Sequence, residues 1–545
     1  MIRKYISVLV LIMVVGASAV FTVTPAQAAT ITVNSKLDTA DPDHCRLRDA
    51  ITAANTNAAV GGCSAGTAGP DTIGFSLGNL CNVTLCTITL SSALPTVTED
   101  LTINGNNTAI SGDAKFRVFN LDAVNVNMSN MKIADADVTG TAFGGAIAMS
   151  GGNLTLTNIF FSNDRAISGG AIYEAQGTLN VVNSNFSGNM AGLGGDGGAI
   201  FNGSGSLTVT DSAFNNNSAV NGGGAIASTS GTTIINSTFS GNSAPLGGAI
   251  ENSSGNLTVG NCVFDNNSST FGGGAIAAFG STNIFNSTFS NNKAPGAKSF
   301  GGAVYFQSAG GSLIITESSL INNSSNFDGG AAYIKDGPVT LRNVTISGNR
   351  AVNDGGGIVI TETVQTPTTA NLNNVTITNN LADSDNDGNG DGGGLFRAAG
   401  AAQLRNSIVA GNYDTPGNAG GGTINPDCSG AFSSQGHNLI GRNDGCSGFT
   451  NGVNGDKVGA GANPINPLLG ALANNGGPTQ THALIPGSPA IDAGNPGTPG
   501  GGGSTCVTTD QRGVARPQGA ACDMGAVERR ADEIAPVAYL PAIIK

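Results

Sequence analysis

A run of acidic residues late in the chain carries its clearest chemistry. Residues 383–391 place aspartate at positions one, three, five and nine of the run, with Gly388 at position six. Oxygen ligands at this spacing are typical of loops that hold Ca²⁺, and glycine at position six permits the sharp turn that such a loop needs. The sequence therefore predicts a calcium site. Its candidate ligands are Asp383, Asp385, Asp387, Asn389 and Asp391.

A second interpretation of this acidic run stays open. Position twelve is Gly394 instead of the glutamate that closes an EF-hand loop, and no helix is predicted on either side. Runs of Asp, Asn and Gly also form good turns, so a solvated acidic insertion between two strands explains the same residues. If Ca²⁺ binds here, we expect it to make the loop rigid.

Catalytic groups are sparse elsewhere. A glycosidase needs two carboxylates flanking the scissile bond, but the acidic residues of the repeats show no matched pair on neighbouring copies. Glu174 and Glu251 occupy similar positions three copies apart. The chain has no Trp and six Tyr, which leaves few aromatic platforms for a sugar. His44, His437 and His482 all lie in the end regions, where a structural role is favoured. The sequence therefore predicts no catalytic residues.

These groups must be positioned by a repeat of about twenty-five residues. One half of the repeat is Gly-Gly-Ala-Ile, as at residues 223–226, and the other is an apolar residue three before an asparagine, as in Phe239 and Asn242. Self-similarity at this period is typical of a solenoid. The alanines of successive copies stand at positions 146, 171, 199, 225, 249, 275, 303 and 331.

Each copy divides into short strands. In the third copy, residues 198–201, 206–210 and 212–214 are candidate strands, and 206–210 alternates polar with apolar residues. Three strands with their turns fill one coil of a right-handed parallel β-helix, whereas a leucine-rich repeat needs another spacing. The predicted fold is all-β, a right-handed parallel β-helix with about ten coils and capped ends. We expect Ile and Val to stack inside it, and Asn to stack at a corner where its left-handed backbone is tolerated.

The chain ends suggest export. Residues 1–28 resemble a secretory signal with a basic start, an apolar centre and an A-x-A site, although an uncleaved membrane anchor is the alternative. No other stretch is predicted to cross a membrane. Export permits disulfides, and neighbouring cysteines suggest four pairs, whose connectivity the sequence leaves open. They are Cys45–Cys63, Cys81–Cys86, Cys428–Cys446 and Cys506–Cys522.

Charge excludes one large class of partner. The formal net charge is −13 and charged residues make up 11% of the chain. Nucleic-acid binding needs a basic face, so that class is not expected. Low charge and abundant short apolar runs also argue against a disordered chain.

The paired tetrapeptides resemble the repeats of chlamydial polymorphic outer membrane proteins, which form the β-helical passengers of surface adhesins. Residues 44–55 resemble the CSLREA domain of secreted bacterial proteins, with Arg46 and Asp49 in place of the usual Ser and Glu. Residues 436–526 are similar to the choice-of-anchor Q region at the end of many bacterial β-helix proteins. The resemblance implies a pectin-lyase-like solenoid and an adhesive role. No membrane-barrel region follows residue 525, so an autotransporter is not expected.

The predicted organisation has five parts. They are a signal peptide (1–28), an N-terminal cap (29–110), β-helix repeats (111–425), a C-terminal region (426–530) and an apolar tail (531–545) that is either a docking strand or a sorting tag. We expect an extracellular or cell-surface scaffold without catalytic activity, which binds glycans, cells or matrix. A polysaccharide lyase or glycoside hydrolase, and a structural surface-layer component, are the alternatives.

Overall fold

The computed structural model describes residues 28–78, 85–363, 367–416 and 424–530. Within these ranges nearly every regular element is a β-strand, and the exceptions are one α-helix, Leu47–Thr56, and one 3₁₀ turn, Val453–Gly455. Each coil runs through a first, a second and a third face and then a short edge sheet before the next coil begins. The predicted all-β parallel solenoid is confirmed. The predicted signal peptide, Cys81 and the apolar tail lie outside the described residues.

The first face is a parallel sheet of thirteen strands, each from one coil. The Ile of each Gly-Gly-Ala-Ile copy pairs with the Ile of the next, as Ile200 does with Ile226. The expected number of about ten coils was too low, because only six of the thirteen strands follow an exact Gly-Gly-Ala-Ile copy. The strands are Phe119–Leu121, Ile147–Met149, Ile172–Glu174, Ile200–Asn202, Ile226–Ser228, Ile250–Asn252, Ile276–Ala278, Val304–Gln307, Ala332–Lys335, Ile358–Thr361, Leu395–Arg397, Cys428–Ala431 and Gly445–Ser447.

The second and third faces form one parallel sheet of 27 strands that bends at a corner. Three long strands, Leu101–Ser111, Val124–Ala134 and Gly152–Ser162, cross the corner unbroken, and later coils have one strand on each side of it. Before them, Thr30–Val33 and Asp71–Phe75 lie on the second face and Cys86–Thr89 lies on the third. The later second-face strands are Thr178–Val182, Ser206–Thr210, Thr232–Ile235, Asn256–Gly260, Ser281–Phe285, Leu313–Thr316, Gly337–Arg342, Thr368–Asn373, Ala401–Arg405 and Ser433–Ser434. The later third-face strands are Asn185–Ser187, Ala213–Asn215, Thr238–Ser240, Val263–Asp265, Thr288–Ser290, Ser319–Ile321, Thr345–Ser347, Thr376–Thr378, Ile408–Val409, Leu439–Ile440 and Lys457–Val458.

The edge sheet has ten short parallel strands, and an antiparallel hairpin follows the coils. The edge strands are Arg165–Ala166, Met190–Ala191, Ser218–Ala219, Ser243–Leu246, Ser268–Gly272, Lys293–Ala294, Ser324–Ser325, Arg350–Ala351, Leu381–Ala382 and Tyr413–Asp414. The hairpin strands are Leu469–Ala473 and Thr481–Leu484.

The core consists of like residues stacked coil upon coil. Ile of the first face and alternate apolar residues of the second face point inward and are fully buried. Six phenylalanines of the third face stack with 4.7–4.8 Å between ring centroids, which matches the spacing of parallel strands. They are Phe161, Phe186, Phe214, Phe239, Phe264 and Phe289. Burial of these stacks is the main favourable term in the stability of the cylinder.

A buried asparagine ladder holds the corner after the third face. From Asn217 onward, each Asn side-chain oxygen accepts bonds from the backbone N–H and the Nδ2 of the Asn one coil earlier, at 2.8–3.1 Å. The ladder ends at Asp427, whose Oδ1 accepts both bonds from Asn412. Its members are Asn189, Asn217, Asn242, Asn267, Asn292, Asn323, Asn349, Asn380 and Asn412.

The left-handed backbone conformation that we predicted for the stacked asparagines is found in neighbouring residues and not in the ladder asparagines themselves. The residue just before each ladder Asn has positive φ, for example Asn266 at 55°. A separate exposed row of residues with positive φ, including Asn236 and Asn261, lines the corner between the second and third faces. Tight turning and axial hydrogen bonding are thus performed by neighbouring residues, and the sequence prediction had assigned both to one Asn.

The Gly-Gly pair has two distinct roles within one turn. Gly223 has φ +63°, a conformation that residues with a side chain rarely adopt. Gly224 has an ordinary φ, but a Cβ there would overlap the carbonyl of Gly248 and lie 2.6 Å from the backbone N of Ser243. Glycine is therefore required at both positions, at the first for its conformation and at the second for close stacking of coils.

Both ends of the cylinder carry additional structure. At the N-terminal end, the helix Leu47–Thr56 packs its apolar side on the first strands and is joined by the disulfide Cys45–Cys63. The sequence pattern did not predict this helix, because it spans only ten residues. The predicted pairs Cys428–Cys446 and Cys506–Cys522 are also formed, while Cys262 is free and buried.

The C-terminal region folds back along the outside of the coils. Asn343 Nδ2 donates to the carbonyl of Thr509 at 2.8 Å, and Thr345 Oγ1 donates to Gln511 Oε1 at 2.7 Å. The residues in each contact are 166 positions apart. The region therefore supports the wall of the rod as well as closing its end.

Candidate metal centre and binding face

The acidic loop, residues 383–391, leaves the edge strand Leu381–Ala382 and returns to the first face at Leu395–Arg397. Asp383, Asp385 and Asp387 each place one oxygen within 4.8 Å of the others. Asp383 is buried, while Asp385 and Asp387 are exposed. The three carboxylates can therefore share one cation, with two of them facing solvent.

Hydrogen bonds shape this loop around Asp383. Its Oδ1 accepts the N–H of Asp387 at 2.9 Å, and its Oδ2 accepts the N–H of Gly388 at 3.1 Å and the hydroxyl of Thr415 at 2.7 Å. Gly388 has φ +87°, which explains the glycine at position six. Slight burial and the neighbouring Asp387 carboxylate raise the pKa of Asp385. The loop is thus pre-shaped, with charges held close together.

The two remaining predicted ligands lie beside the triad. Asn389 donates its N–H to Asp387 Oδ1 at 2.8 Å. Asp391 has its Oδ1 bonded to Asn425 Nδ2 at 2.6 Å and its N–H bonded to Asp354 Oδ1 at 3.0 Å. Asp391 therefore also belongs to a second acidic feature.

That second feature is the Asp column, which consists of Asp328, Asp354 and Asp391. Each member stands just before the Gly pair of its coil, and the three coils are consecutive. The expectation that no carboxylates match on neighbouring coils was wrong. The shared signal was Asp-Gly-Gly, but the acidic loop lengthens the last spacing to 37 residues and conceals the register.

Burial and mutual repulsion perturb the column and its neighbour Asp414. Both effects raise the pKa of Asp354 to about 7 and that of Asp414 to about 7, with burial the larger cause. Burial also raises the pKa of Asp328 and of Asp391. Such shifts are typical of acidic groups held together without a cation.

The outer side of the first face carries a short aromatic ribbon, defined as Phe143, Tyr173 and Phe201. Its ring centroids are 4.8 and 5.2 Å apart and its rings are nearly parallel. Phe143 is 43% exposed, and the other two are half-buried. The fold thus gathers several of the few aromatic residues into one outward platform, which composition alone did not indicate.

A carboxylate pair follows the ribbon along the same face. Phe201, Ala227 and Glu251 are register partners on three successive coils, all pointing outward. A Cβ added at Gly222 would overlap Glu251 Oε2 and approach Asp196 Oδ1 at 3.3 Å, so the two carboxylates flank this glycine. Burial raises the pKa of both acids, and Asp196 adds to the rise at Glu251.

Glu174 does not belong to this pair. It is the register partner of Asn202 and, through successive strands, of Asn252, so it points inward whereas Glu251 points outward. Both of its carboxylate oxygens are buried without a hydrogen-bond partner, and burial raises its pKa to about 8. The sequence suggested that the two glutamates occupy equivalent positions, which was wrong. Glu174 is in register with Asn252, the residue after Glu251, and a shift of one residue places a side chain on the opposite side of a strand.

The three histidines make structural contacts. His44 lies 2.9 Å from Asp41, and His437 Nδ1 lies 3.0 Å from the carbonyl of Ala493. His482 Nδ1 donates to the carbonyl of Gly470 at 2.7 Å, and its Nε2 lies 2.9 Å from Ser347 Oγ. His482 also lines a cavity of about 810 Å³ between the hairpin and the third face. Its contacts hold the hairpin against the coils.

The C-terminal polar residues form an internal network. Arg512 Nε donates to Asp510 Oδ2 at 2.9 Å, and Arg516 Nη1 donates to Glu528 Oε2 at 2.9 Å. All four side chains are almost completely buried. The network holds the returning segment in place.

Comparisons with known proteins identify the fold. A family model described as a right-handed beta helix region matches residues 193–311, within the repeats. The comparison with curated proteins gave no match. In the part of the chain that the structure describes, no helix is long and apolar enough to span a membrane. The family match and the parallel pairing of thirteen coils together show that this chain is a right-handed parallel β-helix.

Proposed function

We propose that the protein is a secreted or cell-surface rod that binds an extracellular glycan, on a cell or in the matrix, without cleaving it. The observation that carries this proposal is the aromatic ribbon running into the Asp196–Glu251 pair on one outer face. Three described disulfides support an oxidising compartment.

The chemistry of this face suits a sugar. Aromatic rings offer an apolar surface on which the C–H face of a sugar ring packs. Carboxylates accept hydrogen bonds from hydroxyl groups, and such charge-assisted bonds are stronger than neutral ones. Ala227 separates Phe201 from Glu251 along the face and is itself buried.

Removing the ribbon is expected to abolish most glycan binding. We expect Tyr173→Ala combined with Phe201→Ala to weaken binding about tenfold or more, since each lost aromatic contact contributes about 0.5–1.5 kcal/mol. The measurement is retention of the purified protein on an immobilised polysaccharide panel, followed by titration calorimetry with the best ligand. Phe160→Ala is the matched control, because Phe160 is a partly exposed aromatic residue on the third face. Equal weakening by the control, or no retention by the wild-type protein, would contradict the proposal and leave a structural surface-layer role.

A glycoside hydrolase is the second candidate, favoured by the same two carboxylates. Retaining and inverting enzymes both use a carboxyl pair, one member of which has a raised pKa. The same panel is therefore assayed for new reducing ends. If the wild-type protein releases new reducing ends, and Asp196→Asn still binds but releases none, the protein is a glycoside hydrolase and the proposal of binding without cleavage fails. A lyase is less favoured, because within the described ranges no Lys or Arg forms an ion pair with Asp196 or Glu251.

We also propose that the acidic loop binds Ca²⁺, with Asp383, Asp385 and Asp387 as its principal ligands. Asn389 and Asp391, at positions seven and nine, complete the predicted set. Ca²⁺ prefers six to eight oxygen ligands, and three clustered carboxylates supply both oxygens and charge. The role of this ion is to make the loop rigid where it joins the edge sheet to the first face.

Calcium is expected to stabilise the folded protein through this loop. A ligand present at about one hundred times its Kd stabilises the native state by about 2.7 kcal/mol, so the thermal midpoint should rise when Ca²⁺ replaces EDTA. The measurement is thermal unfolding followed by circular dichroism. Asp385→Asn with Asp387→Asn should remove most of the rise, whereas Asp211→Asn, on the exposed corner row, should retain it. A rise of equal size in the loop variant would exclude the triad as the site.

A further inference from the structure

A second group of aromatic side chains lies on the same outer row as the aromatic ribbon. On the first face, the outward residue of each coil is in register with the outward residue of the next coil. From the ribbon onward, this outward row consists of Tyr173, Phe201, Ala227, Glu251, Ala277, Tyr305 and Tyr333. The second platform is defined as Tyr305 and Tyr333 of this row together with Phe300. Two aromatic groups therefore share one face of the rod.

The second platform repeats the arrangement of the ribbon. In the ribbon, Phe143 stands just before a Gly pair, and its ring centroid is 4.8 Å from that of Tyr173 on the next coil. Phe300 also stands just before a Gly pair, and its ring centroid is 4.5 Å from that of Tyr333 on the next coil. Tyr305 and Tyr333 are nearly parallel at 5.8 Å, as the two ribbon members of the outward row are at 5.2 Å. The fold thus builds the same contact between coils twice.

The second platform reaches the surface of the rod. Phe300 and Tyr333 are half-buried, whereas Tyr305 is 5% exposed and supports the rings around it. Phe271 is 48% exposed, and its ring meets those of Phe300 and Tyr305 edge-on at 6.1 and 6.2 Å between centroids. Contiguous exposed apolar surface of this kind marks an interaction site.

The residues between the two platforms are small or acidic, except for one leucine. Glu251 stands midway in the outward row, three coils from Tyr173 and three coils from Tyr333. Beside it runs the row of residues that precede the Gly pairs. Between Phe143 and Phe300 this second row consists of Ser168, Asp196, Gly222, Leu246 and Gly272. Of the residues named in these two rows between the platforms, all of them described by the structure, Asp196 and Glu251 carry the only charges.

Coil spacing determines the length of ligand that can reach both platforms. Tyr173 and Tyr333 are six coils apart in register. At the spacing of parallel strands this separation is about 29 Å along the rod axis. A chain lying across the rod would contact one platform only. A chain that contacts both must therefore run along the axis in an extended conformation.

We propose that the ribbon, the Asp196–Glu251 pair and the second platform form one track, which binds a single extended and uncharged polysaccharide chain along the rod axis. This inference rests on the proposed glycan-binding function and specifies the length and charge of the ligand. Hydroxyl groups of a neutral chain can donate to the two carboxylates between the platforms. A polyanionic chain would place like charges against them, which costs affinity.

The dependence of affinity on chain length tests the track in the wild-type protein. The neutral polysaccharide that the mature chain retains best is cut into fragments of graded length, and each fragment is titrated by calorimetry. Chains longer than about 29 Å should bind about tenfold or more tightly than fragments of half that length, because a linked second contact adds to the first. Equal affinity of short and long chains would overturn the track.

Removal of the second platform tests the same inference independently. Phe300→Ala with Tyr333→Ala should weaken binding of the long chain about tenfold or more and remove its advantage over short fragments. Phe160→Ala with Phe285→Ala is the matched control, because these partly exposed or half-buried aromatic residues lie on the third and second faces. The control should keep the length dependence of the wild type. Circular dichroism establishes that each variant is folded.

The outcomes separate this inference from the proposed function. If the ribbon substitutions weaken binding and those of the second platform do not, the glycan-binding function stands and the track is overturned. The track is also overturned if the control loses as much affinity as the platform variant, or if a polyanionic glycan binds more tightly than every neutral one. If the wild-type protein retains no polysaccharide, both the proposed function and the track fail.

Discussion

Asn267→Ala is expected to be among the most destabilising single substitutions in the coils. Asn267 Oδ1 accepts bonds from the N–H and Nδ2 of Asn242, at 3.0 and 2.9 Å. Its Nδ2 donates to Asn292 Oδ1 and to the carbonyl of Phe239, both at 2.9 Å. Alanine would remove these bonds from four polar groups on the two flanking coils, inside a fully buried corner.

The expected loss follows from the cost of unpaired buried groups. Each such group costs about 1–3 kcal/mol, and water entering the space would offset part of the sum, so we expect a loss of about 4 kcal/mol. The measurement is urea unfolding followed by far-ultraviolet circular dichroism. The effect should appear as a lower midpoint, with the strand signal of the folded protein unchanged.

Asn261→Gly provides the matched control six residues away. Asn261 also bonds to an Asn of the previous coil, Asn236, at 3.1 Å, but this row is exposed. Glycine accepts the left-handed backbone of this position, φ 53°, so only an exposed hydrogen bond is lost. We expect a change within about 0.5 kcal/mol. Similar losses in the two variants would show that burial of the ladder does not determine its contribution.

Arg516→Ala is expected to release the C-terminal region from the coils. Arg516 donates through Nη1 to Glu528 Oε2 and to the carbonyl of Asp523, at 2.9 and 3.0 Å, and through Nη2 to the carbonyl of Gly525 at 2.9 Å. The substitution would leave Glu528 as a buried carboxylate without its cation. Removing one partner of a buried pair typically costs about 3–5 kcal/mol.

The same unfolding titration, combined with limited proteolysis, measures this effect. Cleavage between residues 475 and 530 should become faster in Arg516→Ala, because that segment is held by contacts across the outside of the rod. Arg442→Ala is the control, since Arg442 and Asp444 form a pair that is 33% and 34% exposed. Such pairs contribute about 0–1 kcal/mol. A loss below about 1 kcal/mol for Arg516→Ala would mean that the network is not needed to hold the region.

The repeat made most of the coil predictable. The inward Ile and the stacked Phe recur one coil apart and pair with copies of themselves, so a pattern in the chain is also a pattern in space. The ladder Asn were visible for the same reason. The sequence did not show that the residue with left-handed backbone at this corner is Asn266, one position before the ladder residue Asn267. A Phe-x-x-Asn pattern does not reveal which residue turns the chain and which forms the axial hydrogen bonds.

The acidic loop shows what a local sequence pattern can predict and what it cannot. Asp383, Asp385 and Asp387 cluster as their spacing predicts, because a short loop with glycine at position six determines its own turn. Asp354 and Asp414 were not predicted to join this region. Their positions depend on how coils of unequal length align, and a loop inserted in one coil changes the spacing without changing the register.

The amino-acid sequence by itself determined the parallel coil, its inward stacks and its acidic loop, because each arises from contacts between neighbouring copies of one motif. Only the tertiary structure decided which outward residues share a face, as Phe201 and Glu251 do, and where the C-terminal region returns along the wall. The physical reason is that outward positions take no part in the core and follow no repeat. Whether two outward residues lie close together depends on the register between coils and on contacts between distant segments.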